Sequence, residues 1–155
     1  MKKLQLLLYF IVSIGITNAQ VKQNDKGLYA NVDGSLYNGI LETEENGIKK
    51  SVIEVKEGQI NGEVKYFYAS GKLMEVGMFT NGLKSGKWTR YNEAGSTIGI
   101  AAYKHGKKDG TWIVWDDNGK KRFEMSYSNG EKTGVWNSWD ENGTLVSLKD
   151  YGQIN

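Results

Sequence analysis

The sequence predicts an all-β fold, an elongated single-layer antiparallel β-meander built of 24-residue hairpin repeats. Three observations predict it: glycines recur every 24 residues, aromatic residues recur with the same period, and Asn-Gly or Asp-Gly pairs punctuate the chain. These pairs favour tight hairpin turns, because Asn, Asp and Gly tolerate positive φ. No segment after Gln20 carries a helical apolar stripe over three turns, so the whole remaining chain is assigned to strands and turns.

The glycines fall into three series that share one period. They are Gly58, Gly82, Gly106 and Gly130; Gly62, Gly86, Gly110 and Gly134; and Gly71, Gly95, Gly119 and Gly143. We interpret most of them as turn glycines, and His105 as a turn residue because it precedes Gly106. Two strands per unit imply a meander of about ten strands, roughly 45 Å long at about 4.8 Å per strand.

The aromatic residues form columns with the same period. The columns are Trp88, Trp112 and Trp136; Phe67, Tyr91, Trp115 and Trp139; and Phe79, Tyr103, Tyr127 and Tyr151. The two aromatics of each G-x-W-x-x-[YW] strand are three residues apart, which places them on opposite faces of the strand. We therefore expect rings to stabilise both faces of the sheet. Trp88, Trp112 and Trp136, with Gly86, Gly110 and Gly134, are predicted to be structural repeat positions.

Three segments follow from these patterns. Residues 1–19 are predicted to be a signal peptide, because two lysines precede an apolar run of about a dozen residues and small residues end it at Ala19. Residues 20–57 form an N-terminal region with a degenerate capping repeat, and residues 58–155 form the tandem repeats. We therefore expect an exported protein, periplasmic or extracellular.

Composition excludes several classes of function. The chain has no Cys and one His, which excludes disulfides, thiolate chemistry and multi-histidine metal sites. Removal of Lys2 and Lys3 with residues 1–19 leaves 18 basic and 18 acidic side chains, so nucleic-acid binding and strong membrane binding are not expected. The Asp116-Asp117 and Asp140-Glu141 pairs recur at one hairpin and are interpreted as turn acids. The sequence predicts no catalytic residue, no metal and no cofactor.

The string YKHGKKDGTWIVWDDNGKKRFEMSYSNGEKTGVWNSWDENG resembles tandem copies of the bacterial variant of the MORN repeat. The resemblance covers about Gly58 to Tyr151, with a weaker echo from Gly34. Proteins with such repeats are often grouped with the YwqK-type antitoxin family, and MORN repeats elsewhere are implicated in protein or phospholipid contacts. The resemblance implies tandem MORN-like repeats over residues 58–155.

Two hypotheses for function stay open at this point. The first is an exported, non-enzymatic protein-interaction module, antitoxin-like or immunity-like, that acts as a monomer on an unidentified protein partner. The alternative is a cell-envelope carbohydrate-binding module that uses exposed aromatic rows on a glycan. In both cases the predicted binding residues are Tyr91, Trp115 and Trp139. A purely structural role for both Trp-bearing columns is the competing interpretation.

Overall fold

The computed structural model describes residues 21–152, which form strands and turns throughout. The predicted signal peptide lies outside the described residues. The thirteen strands are β1 (Lys22–Gln23), β2 (Tyr29–Ala30), β3 (Gly39–Glu45), β4 (Ile48–Lys56), β5 (Gln59–Phe67), β6 (Leu73–Thr80), β7 (Leu83–Tyr91), β8 (Thr97–Lys104), β9 (Lys107–Lys108), β10 (Gly110–Trp115), β11 (Lys121–Ser128), β12 (Glu131–Trp139) and β13 (Leu145–Asp150).

One antiparallel sheet of eleven strands contains β3 to β13, and β1 and β2 pair separately. Sequential strands are neighbours throughout the sheet, with the short β9 pairing only with β8. The sheet is a hairpin meander with two free ends, as the 24-residue punctuation predicts. The predicted fold class is therefore confirmed.

The turns explain the first glycine series. Each turn places a non-glycine residue with positive φ directly before a glycine with positive φ: Asn46-Gly47, Glu57-Gly58, Asn81-Gly82, His105-Gly106 and Asn129-Gly130. Two successive positive φ values define the type I′ turn, whose twist matches that of paired strands. His105 is thus a turn residue, with φ of 50°.

The second glycine series is the exception to the prediction that most glycines are turn glycines, because it lies in strands. Gly86 and Gly134 lie inside β7 and β12, and Gly110 begins β10. At Gly86 the register with β6 shifts between Val76 and Met78, which marks a β-bulge. The φ of Gly86 is 66°, a value that glycine adopts without the steric cost a side chain would add.

One face of the sheet carries the buried core, and we call it the core face. Leu41, Ile53 and Val64 lie directly opposite one another on β3, β4 and β5, and each is at most 6% exposed. Val21, directly before β1, and Tyr29 of β2 join the same cluster. The N-terminal end of the core face is thus covered, whereas all six residues of β13 at the other end are exposed. No helix among residues 21–152 is long and apolar enough to cross a membrane.

Candidate functional site

Seven rings form a continuous row along the core face, which we call the aromatic row. Its members are Phe79, Trp88, Tyr103, Trp112, Tyr127, Trp136 and Tyr151, with neighbouring ring centroids 4.9 to 6.1 Å apart. The contacts are edge-on or tilted, the geometry that the ring quadrupole favours. Two of the predicted columns therefore interleave into one row. Every ring pair found within residues 21–152 belongs to this row, so the expectation of packed rings on both faces was wrong.

Trp88 is the most buried ring of the aromatic row. Trp88 is 1% exposed, whereas Trp112 and Trp136 are half-buried. The Trp88 ring lies against Gly77, leaving no room for a Cβ there. The indole N–H groups of Trp112 and Trp136 donate to Ala102 and Ser126 carbonyls at 3.0 and 2.9 Å. The indole N–H of Trp88 is buried without an acceptor.

A lysine from each repeat lies over the aromatic row. The Nζ atoms of Lys84, Lys108 and Lys132 lie 3.7, 4.2 and 4.5 Å from the centroids of Trp88, Trp112 and Trp136. Each ammonium group also lies within 5.0 Å of the next tyrosine ring. This is cation–π geometry, repeated with the period of the sequence.

These three lysines have no carboxylate partner. The five ion pairs found in residues 21–152 involve other basic residues, namely Lys49, Lys50, Lys65, Lys121 and Arg122. Lys108 and Lys132 instead donate to the Tyr127 and Tyr151 hydroxyls at 3.5 and 3.4 Å. The core face therefore presents a row of cations whose charge no anion of the described chain neutralises.

The pKa values of Tyr103 and Tyr151 reflect the charges around the aromatic row. Burial, together with the Glu75 carboxylate, raises the pKa of Tyr103. At Tyr151 desolvation would also raise the pKa, but the hydrogen bond and charge of Lys132 and the charge of Lys149 outweigh it and lower the pKa. The exposed end of the aromatic row is therefore the more cationic end.

A hollow interrupts the core face between Trp88 and Trp112. It encloses about 350 Å³. Gly99 and Ala101 form its floor, because the repeat places only small side chains there, while Phe123 and Met125 occupy the equivalent positions one repeat later. A second hollow, of about 290 Å³, lies beside Trp136 and Tyr151. The aromatic row thus has two apolar depressions next to its rings.

The predicted binding residues lie at the hairpin ends. Trp115 pairs with Lys121, and Trp139 pairs with Leu145, each directly after a register shift, and Trp115 also lines the first hollow. Tyr91, Trp115 and Trp139 are all half-buried. The backbone carbonyls of Tyr91 and Trp139 accept hydrogen bonds from the Tyr68 hydroxyl and Arg122 Nε at 2.6 and 2.9 Å. The three residues therefore do not converge with the lysine row, and their binding role stays a prediction.

The acidic residues that were interpreted as turn acids accept hydrogen bonds from the backbone of their own turns. The Asp116 carboxylate accepts backbone N–H groups of Asn118 and Lys120, both at 3.0 Å, and Asp140 repeats the pattern with Asn142 and Thr144. Desolvation would raise the pKa of Asp116, but these hydrogen bonds and the Arg122 guanidinium outweigh it and lower the pKa. Within residues 21–152 no group of three or more His, Cys, Asp or Glu residues could hold a metal ion.

The sequence contained a signal for the lysine row. Lys84, Lys108 and Lys132 recur with the 24-residue period, and the equivalent position in the preceding repeat is Ile60. A search for periodic charged residues, in addition to glycines and aromatics, would have found them. Their position over the rings could not be predicted without the register that the bulges set.

Three segments match the family model described as MORN repeat variant: residues 60–81, 108–129 and 132–152. These matches support a MORN-repeat protein, and the last two segments begin at Lys108 and Lys132. A solved structure titled "Crystal structure of GtfA/B complex bound to UDP and GlcNAc" is similar over 97% of this chain and 28% of that chain, with 10% identity and a TM-score of 0.34. A likeness at that level supports no statement about function. No curated protein matches the chain.

Proposed function

We propose that this protein is a non-enzymatic interaction module that docks a partner protein on the exposed part of its core face. MORN repeats generally serve in protein or membrane contacts, which is consistent with this role. The observation that carries the proposal is the row of three lysines that lie over the aromatic row and have no carboxylate partner within residues 21–152. Aromatic and cationic side chains that remain partly exposed in rows are suited to hold a partner through several weak contacts.

The proposed binding site differs from the one that the sequence predicted. Lys84, Lys108 and Lys132 replace Tyr91, Trp115 and Trp139 as the expected contact residues. The reason is that the hairpin-end aromatics are spread along the sheet edge, whereas the lysines share a continuous ring surface. Tyr91 and Trp139, which line neither hollow, provide a matched control.

The lysine positions also weigh against the carbohydrate alternative. Sugars stack flat on exposed ring faces, and here an ammonium group lies over each of Trp88, Trp112 and Trp136. A glycan would have to displace these groups before it could stack. A protein partner with carboxylates meets them directly.

We further propose that the protein is exported and has an immunity-like role. The charge pattern of residues 1–19 and the resemblance to YwqK-type antitoxins support it. N-terminal sequencing of the native product should begin at Gln20. An intact Met1 would contradict export and leave the interaction role in place.

The docking site is tested by capture of proteins from the envelope fraction with three forms of the protein. We expect the wild type and the Tyr91→Ser/Trp139→Ser variant to retain one common partner, and the Lys84→Gln/Lys108→Gln/Lys132→Gln variant to lose it. Circular dichroism checks that both variants are folded. Loss of the partner only in the Tyr91/Trp139 variant would contradict the proposed site, and equal capture by all three forms would contradict both sites.

A further inference from the structure

We infer that the core face recognises an acidic polypeptide segment in the polyproline II conformation, with a carboxylate at every third residue. This inference rests on the proposed function and specifies the chemistry of the partner. It follows from three features of the aromatic row: the sign of its charge, the spacing of its lysines and the hollows beside its rings.

The sign of the charge requires an anionic partner. Lys84, Lys108 and Lys132 have no carboxylate partner within residues 21–152, and Lys149 lies 5.0 Å from the Tyr151 ring at the exposed end of the row. Arg90, beside the first hollow, also makes no ion pair in the described part of the chain. Glu75 is the acidic side chain on the wall of that hollow, at the N-terminal end of the row. Anionic groups are therefore expected to dock on the C-terminal side of Glu75.

The spacing of the lysines selects a backbone conformation. Successive lysines are two strands apart, which corresponds to about 10 Å across the sheet. A polyproline II helix has three residues per turn and rises about 3.1 Å per residue, so every third side chain points the same way at about 9 Å intervals. An extended β-strand instead repeats a face about every 7 Å, which does not match.

The hollows suit such a segment. Aromatic-lined depressions accept proline rings in the recognition of polyproline II peptides, because that conformation is already formed before binding. The first hollow lies between Trp88 and Trp112 and the second beside Trp136, one repeat further along the row. Carboxylates over the lysines would then alternate with apolar residues in the hollows.

The experiment measures the affinity of the full chain for two synthetic peptides of equal charge, four Glu-Pro-Pro triplets and four Glu-Pro-Pro-Pro quartets. We expect the triplet peptide to bind about tenfold more tightly, because only its carboxylates keep register with the lysines, and to weaken as ionic strength rises. The Lys84→Gln/Lys108→Gln/Lys132→Gln variant should bind the triplet peptide about tenfold more weakly than the wild type. The Tyr91→Ser/Trp139→Ser variant should bind it like the wild type, because these residues line neither hollow.

Three results would overturn the inference. Equal affinity for the two peptides would show that spacing is not recognised, and tighter binding of polygalacturonate than of the triplet peptide would assign the row to an acidic glycan. No binding of either peptide, while capture of the envelope partner still depends on the three lysines, would refute the polyproline II segment and leave the proposed function standing. Loss of that lysine dependence in capture is the separate result that refutes the proposed function.

Discussion

Two glycines of the core face, Gly77 and Gly99, differ in the free space above their Cα atoms. The difference separates a position that packing requires from a position beside a hollow. Gly77 lies beneath the buried Trp88 ring, where a methyl group would overlap the indole. Gly99, its near neighbour on the same face, forms the floor of an open hollow. One glycine is therefore required for packing, whereas the other leaves a cavity that a ligand can fill.

The replacement Gly77→Ala should destabilise the protein by about 1–3 kcal/mol, because the added methyl group must displace the Trp88 ring in a tightly packed site. Gly99→Ala is the matched control, since its Cβ would meet only the Arg90 Cβ at an ordinary 3.5 Å. Denaturant titration of both variants measures the difference. Equal stability of the two variants would contradict the packing assigned to Trp88.

The lowered pKa of Asp116 predicts a dependence of stability on pH. A carboxyl whose pKa is lower in the folded state contributes stability that is fully present above the unfolded value, here 3.8, and is lost as pH falls through the folded pKa. Asp116→Asn keeps a turn acceptor, as Asn92 does in the preceding repeat, but cannot be protonated. Its Tm should therefore fall less than that of the wild type between about pH 6 and about pH 3. An unchanged loss of Tm would refute this role of Asp116.

The hairpin is the element that the sequence specifies most completely. Asn46-Gly47, Asn81-Gly82 and Asn129-Gly130 turn the chain where expected, whereas Asn61-Gly62 lies inside β5. Three glycines of the third series lie in loops closed by Asn92, Asp116 and Asp140. The bulges at Gly86 and its repeats were not predicted, because a glycine in a short strand has the same local sequence signature as a glycine that ends a turn. The bulges also decide which rings meet, so the interleaving of the two columns could not be predicted either.

The type I′ turn at His105 can be tested directly. His105→Ile should destabilise the protein by about 1–2 kcal/mol, because a β-branched residue is strained at positive φ. His105→Asn should leave stability unchanged or slightly raised, since Asn occupies the equivalent turn positions at Asn81 and Asn129. Thermal unfolding of both variants measures the effect. A larger loss from Asn than from Ile would contradict the assigned turn.

The whole molecule is asymmetric along its length. Its N-terminal end has a cluster of buried aliphatic residues covered by β1 and β2, and its C-terminal end has an exposed final strand. Repeat proteins derive stability from contacts between neighbouring units, so the units at the covered end should be the most stable. The exposed lysine row lies toward the less stable end, where adjustment to a partner is easiest.

Native-state hydrogen exchange should show this gradient. We expect backbone amides of β4 and β5, around Ile53 and Val64, to exchange only on global unfolding, and those of β12 and β13 to exchange through local opening. The comparison is between the amide exchange rates of the β4–β5 hairpin and those of the β12–β13 hairpin. Uniform protection from β3 to β13 would show that the sheet unfolds as one unit and would contradict the gradient.

Side-chain oxidation of the complex locates the binding surface on the protein. The experiment compares the reactivity of aromatic residues in the free protein and with the captured partner bound. Binding on the core face predicts protection of Trp112, Tyr127 and Trp136, while Tyr91 and Trp139, which line neither hollow beside the row, stay as reactive as in the free protein. Protection of Tyr91 and Trp139 with an unchanged aromatic row would contradict this site and place the partner at the hairpin ends.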